Sequence, residues 1–170
     1  MSRSLAGLVI DTLEFAREGR SVAGTVALSG LPRLLETVSE SVVSMTTLDC
    51  ELEGHREGGY WLHLKVHGQF DLTCQRCLGA MPFTLDIDTE LQVIPPGAPW
   101  PDEVLEDGAV SLGADAIAAN EALVLTELIE EEVLLALPIV PRHDGCAPPE
   151  RKDGKQATSP FAVLAQLKKH

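Results

Sequence analysis

Apolar and polar residues alternate most regularly in two adjacent stretches of this 170-residue chain. In "GGYWLHLKVHGQFDLTC", Leu62, Leu64 and Val66 fall on one side and Trp61, His63, Lys65 and His67 on the other, the two-residue period of a half-buried strand. In "PFTLDIDTELQVI", Phe83, Leu85, Ile87, Leu91 and Val93 face inward, with Thr84, Asp86, Asp88, Glu90 and Gln92 outward. "VAGTVAL" (22–28) and "SVVSMTTLDCELE" (41–53) have strand composition, and "LPRLLETVSE" (31–40) can start a short helix at Pro32. "LTELIEEEVLLALP" has helical period and stops before Pro138, with Glu127, Glu130 and Glu131 expected on its polar side. The predicted class is α+β: an antiparallel sheet with one wet face, open or barrel-like, one main helix and a short C-terminal helix.

The predicted organisation is a domain over residues 1–141, a Pro-, Gly- and charge-rich linker over 142–158, and a short helix over 159–170. The Pro-rich acidic stretch at 95–109 is expected to be a loop within the domain. In the terminal helix Ser159 can cap, Pro160 takes the first helical position, and Lys168 and Lys169 suit the C-terminal end. Phe161, Leu164 and Leu167 make an apolar stripe on a helix too short to stand alone. It is expected to dock on its own domain, with a partner protein as the alternative.

Charge divides the chain unevenly. Residues 1–141 carry 7 basic and 23 acidic side chains, and residues 142–170 carry 6 basic and 3 acidic. The body is therefore net −16 and the end net +3. Phosphate is repelled by such a body, and nothing resembles an aromatic RNA-stacking sheet. A basic protein partner fits better, and any RNA contact is assigned to the positive end: Arg142, Arg151, Lys152, Lys155, Lys168 and Lys169. No apolar run has the length of a membrane helix, and the start shows no secretory cleavage pattern, so a cytoplasmic location is expected.

Four cysteines supply the candidate chemistry. Cys74 and Cys77 have the spacing at which one chain turn offers two thiolates to a metal, and His143 and Cys146 repeat that gap just past the main helix. Three thiolates and one imidazole make a sound set for structural zinc, and the long intervening chain adds little closure entropy. Two other readings of the pair stand beside it: plain packing of small apolar side chains, expected for Cys50, and a redox pair with Arg76 favouring the thiolate. The redox reading normally needs a helix opening at the motif, where strands flank it here.

Other constellations fail. His63 and His67 stand about 13 Å apart along a strand, too far to share an ion. Asp86, Asp88 and Glu90 imitate the start of a calcium loop, but Leu91 occupies the required glycine position. Neither a nucleophile elbow, a metalloprotease helix, a phosphate loop nor a dinucleotide fingerprint occurs. Neither an enzymatic activity nor a small-molecule substrate is expected.

Three blocks in this order carry a resemblance: "LTCQRCLGAMPF" (72–83), "EEEVLLALPIVPRHDGC" (130–146) and "SPFAVLAQLKK" (159–169). Together they resemble the large ribosomal RNA subunit accumulation proteins of bacteria and plastids, the YceD-like family. The resemblance covers residues 68–170, and Ser159 stands where the family usually has Asn, another helix-capping residue. It implies a non-catalytic role in synthesis, processing or stability of 23S-type rRNA. The charge division makes a ribosomal protein or assembly factor the expected partner, with rRNA contacted indirectly; direct rRNA binding through the positive end is the alternative, and a zinc- or redox-sensing role tied to translation a weaker one. Some relatives have a second paired-cysteine cluster at the place of His143 and Cys146, which supports the zinc reading.

Overall fold

A computed structural model describes residues 3–38, 46–101 and 115–149. The chain runs through β1 (Val9–Ile10), α1 (Thr12–Arg17), β2 (Ser21–Ala27), α2 (Pro32–Leu35), β3 (Thr47–His55), β4 (Tyr60–Thr73), β5 (Ala80–Ile94), β6 (Asp115–Ala118), β7 (Leu123–Val124) and α3 (Leu125–Ala136). The main sheet has the order β2-β3-β4-β5-β6, and β1 pairs with β7 in a small separate ribbon. The α+β class holds. The sheet is open, with β2 and β6 at its edges, so the barrel-like variant does not form.

One part of the antiparallel expectation needs correction. β2 to β5 are antiparallel neighbours, but β6 lies parallel to β5, with Leu91 opposite Asp115 and Ile94 opposite Ala118. A parallel neighbour needs a long connection, which the chain between Ile94 and Asp115 provides.

Alternation sorts the side chains as expected because one face is wet. Across the register, Val26, Leu48, Cys50, Leu52, Leu62, Leu64, Val66, Leu85, Ile87 and Leu91 lie together in the core. α1 packs on β3 and β4, and α3 on β5 and α2, closing the second layer. Gly54 makes the close approach of α1 possible, because a Cβ there would lie 2.5 Å from the carbonyl oxygen of Phe15. Cys50 is a core residue, its thiol pushed up to about 12 by burial.

α3 departs from its expected polar side at one position. Glu127 and Glu131 are exposed, but Glu130 is only 5 % exposed. Its Oε1 accepts from the backbone N–H of Arg33 at 2.7 Å and of Leu34 at 3.1 Å. These donors lie in the first turn of α2, where intrahelical partners are lacking and Pro32 supplies no N–H. Glu130 therefore locks α2 onto α3 as a buried cap supplied from outside the helix.

Among the described residues no helix is long and apolar enough to cross a membrane. Arg151, Lys152, Lys155, Phe161, Leu164, Leu167, Lys168 and Lys169, with the whole predicted terminal helix, lie outside the described residues.

Candidate metal centre

β4 is 14 residues long and β5 is 15, longer than β3, so their hairpin projects past the rest of the sheet. Phe70 and Phe83 pair across it with ring centroids 5.6 Å apart. The hairpin turns through Cys74 to Gly79, closed by Cys74 N–H donating to the Gly79 carbonyl at 2.9 Å. Inside it Leu78 N–H donates to the Cys74 carbonyl at 2.9 Å, and Leu78 adopts a φ of 61°. That tight loop brings Cys74 and Cys77 to one side.

The second half arrives from α3. Its helix stops at Ala136, ahead of Pro138, and the following segment runs back to the hairpin. Gln75 N–H donates to the Pro141 carbonyl at 2.9 Å, which pins the two segments together just before His143. The ligand atoms of Cys74, Cys77, His143 and Cys146 then all lie within 4.8 Å of one another. Cys74 Sγ and Cys146 Sγ are 3.7 Å apart, and Cys77 Sγ is 3.4 Å from His143 Nδ1.

The four cysteines are free thiols: a disulfide needs sulfurs about 2.05 Å apart, and Cys74 and Cys146 are not bonded. Tetrahedral zinc, with Zn–S near 2.3 Å and Zn–N near 2.0 Å, requires S···S edges of about 3.8 Å and S···N edges of about 3.5 Å. Two of its six edges, Cys74–Cys146 and Cys77–His143, stand at those lengths, and the other pairs lie within 4.8 Å. His143 Nε2 lies 3.0 Å from the Ala80 carbonyl, an acceptor only, so Nε2 carries the proton and Nδ1 keeps its lone pair for a metal.

The electrostatics favour thiolate at one position. Burial pushes the Cys74 thiol up, but backbone N–H groups of Cys77, His143 and Arg76, with the Cys77 side chain, overcome it and hold the thiol down at about 5. The Cys146 thiol is raised, first by burial and then by its contacts with Cys74 and Cys77. Neighbouring thiolates repel one another, and a cation between them is what relieves that repulsion.

The four residues can therefore hold a metal ion, and they were all picked out by spacing alone. A hairpin loop leading straight into β5 gives the pair no helix N-terminus, so the setting usual for a redox C-x-x-C is missing. Four protein ligands leave no open coordination position, which suits a structural ion. When bound, it would cross-link the hairpin tip to the segment after α3. Ala80 as the acceptor behind His143, and Gln75 with Pro141 as the clamp, were not legible in advance, since both contacts use backbone groups.

Residues 62–168, more than half of the chain, match the family described as Large ribosomal RNA subunit accumulation protein YceD. This match covers both halves of the candidate metal centre, and the protein belongs to that family. No solved structure gives a significant match to the chain. The family name ties the protein to large-subunit rRNA accumulation.

Proposed function

We propose that this protein promotes accumulation of large-subunit 23S rRNA as a non-catalytic factor that works mainly through protein contacts in the cytoplasm. Its acidic body engages a basic ribosomal protein or another assembly factor, and the Cys74, Cys77, His143 and Cys146 site holds a structural zinc that stiffens the hairpin tip.

The observation that carries this reading is the charge layout of the wet sheet face. Asp49, Glu51 and Glu53 of β3 flank β4 on one side, and Asp86, Asp88 and Glu90 of β5 flank it on the other, all exposed. Between them β4 presents His63, Lys65 and His67. His63 and His67 bond to Asp88 and Asp86, and the hydrogen bond from His63 is the main cause that holds the Asp88 carboxyl below its usual range. Six carboxyl groups against one lysine make this face repel phosphate and attract Lys- or Arg-rich polypeptide.

Titrating the full chain with rRNA fragments and with basic ribosomal proteins across a salt series tests the reading. Submicromolar protein binding that weakens with salt is expected, with RNA binding much weaker. Direct RNA binding through Arg142, Arg151, Lys152, Lys155, Lys168 and Lys169 would instead give a log-log salt slope of roughly −4 on single strands. A slope of that size with tight RNA binding would overturn the protein-contact reading.

A further inference from the structure

Beside the metal centre lies an apolar groove of about 690 Å³. The hairpin contributes Leu72 and Leu78 to it, and α3 with the segment after it contributes Leu134, Leu135, Leu137 and Ile139. Leu78, Leu135 and Ile139 are 66 %, 72 % and 95 % exposed. Large apolar side chains gathered in a concave patch mark a surface that something covers. Among the described residues of the lining, Glu36 is the one that is charged.

The length and position of the remaining chain indicate the occupant. Gln75 and Pro141 both line the groove, and the described residues run to Pro149, three beyond Cys146. The polypeptide leaving this point carries the Phe161, Leu164 and Leu167 stripe, followed by Lys168 and Lys169. The connection from Pro149 to Phe161 can span up to about 40 Å when extended, so a groove adjoining Pro141 is well within reach. Tethering over so short a connection places the stripe at a millimolar effective concentration, without the translational entropy a separate partner must lose. The lysines complement Glu36, and a helix of this length needs an apolar surface to persist.

We propose that the C-terminal segment 159–170 docks intramolecularly in this groove as an amphipathic helix, with Phe161, Leu164 and Leu167 inward and Lys168 and Lys169 toward Glu36. The zinc ligands then lie between two fastenings, the hairpin on one side and the docked helix on the other. The chain's positive end is also held against its acidic body, away from free contact with nucleic acid. This inference does not depend on the rRNA role, because it concerns only what fills the groove.

Methyl-labelled full-length protein gives the test. Nuclear Overhauser contacts are expected from Leu164 and Leu167 to Leu135 and Ile139, unchanged on tenfold dilution and absent between differently labelled chains in a mixed sample. Phe161→Asp should abolish them, shift the Leu78 and Ile139 methyl signals, and raise binding of an apolar dye severalfold. Because Phe161 lies outside the core described above, the core methyl signals should stay in place and show that the variant is folded. Absence of the contacts in wild-type protein would overturn the proposal and leave the groove to an external partner. Contacts found only between chains would overturn it in favour of a second copy.

Discussion

Protein purified without chelator is expected to contain one zinc per chain, and Cys74→Ser or Cys146→Ser to contain almost none. The reason is geometric: sulfurs at 3.7 Å and a sulfur–nitrogen pair at 3.4 Å already stand at the edges of a zinc tetrahedron. Losing one thiolate from a three-thiolate set removes a charged ligand, which serine does not replace at neutral pH. Metal present at a thousandfold over its Kd would stabilise the fold by about 4 kcal/mol. For a domain of this size that corresponds to a loss on the order of 10 °C in Tm when zinc is stripped. Cys50→Ala should keep its zinc, because Cys50 is buried in the sheet core and is not part of the cluster. Elemental analysis with thermal unfolding checks both points. Unchanged zinc content in Cys74→Ser would reject the site.

Glu130→Ala is the second large effect, expected to cost about 3 kcal/mol. It leaves the Arg33 and Leu34 N–H groups without their acceptor, and Leu34 is fully buried. Each buried donor left unpaired costs roughly 1–3 kcal/mol. Glu130→Gln keeps a carbonyl oxygen in place and should recover a good part of the loss. Glu131→Ala, one position along and exposed, should change stability by less than about 0.5 kcal/mol. Denaturant midpoints of the three variants decide this. Equal midpoints for Glu130→Ala and Glu131→Ala would remove the role given to the cap.

What could be read in advance follows from which interactions leave a trace along the chain. β4 and β5 declared themselves because one face is wet, so Leu62, Leu64 and Val66 alternate with His63, Lys65 and His67, while β3 was legible through its strand composition. The cluster of Cys74, Cys77, His143 and Cys146 was legible because two short gaps each constrain two side chains to one side. β6 was not legible: Asp115–Ala118 is four residues with little polar contrast, and its parallel pairing depends on a long connection. α1 does carry a signal of its own. Asp11 accepts from Glu14 N–H at 2.9 Å, and an acid three residues ahead of Glu is a known start pattern for a helix.

Glu130 shows the harder limit. Nothing in helical periodicity separates it from Glu127 and Glu131, because its partner is the start of another helix 96 residues away in sequence. The groove is similar, since Leu72 and Ile139 meet only after the hairpin and the post-helix segment have been joined.

A photo-crosslinking residue placed at Glu51 or Glu90 on the wet sheet face tests the central claim most directly. The full-length protein should be irradiated in cells that are actively making ribosomes. The expected product is a covalent adduct with a basic polypeptide, resistant to ribonuclease and lost on protease treatment. An adduct that ribonuclease dissolves, and that carries large-subunit rRNA sequence, would contradict a body that works through protein contacts.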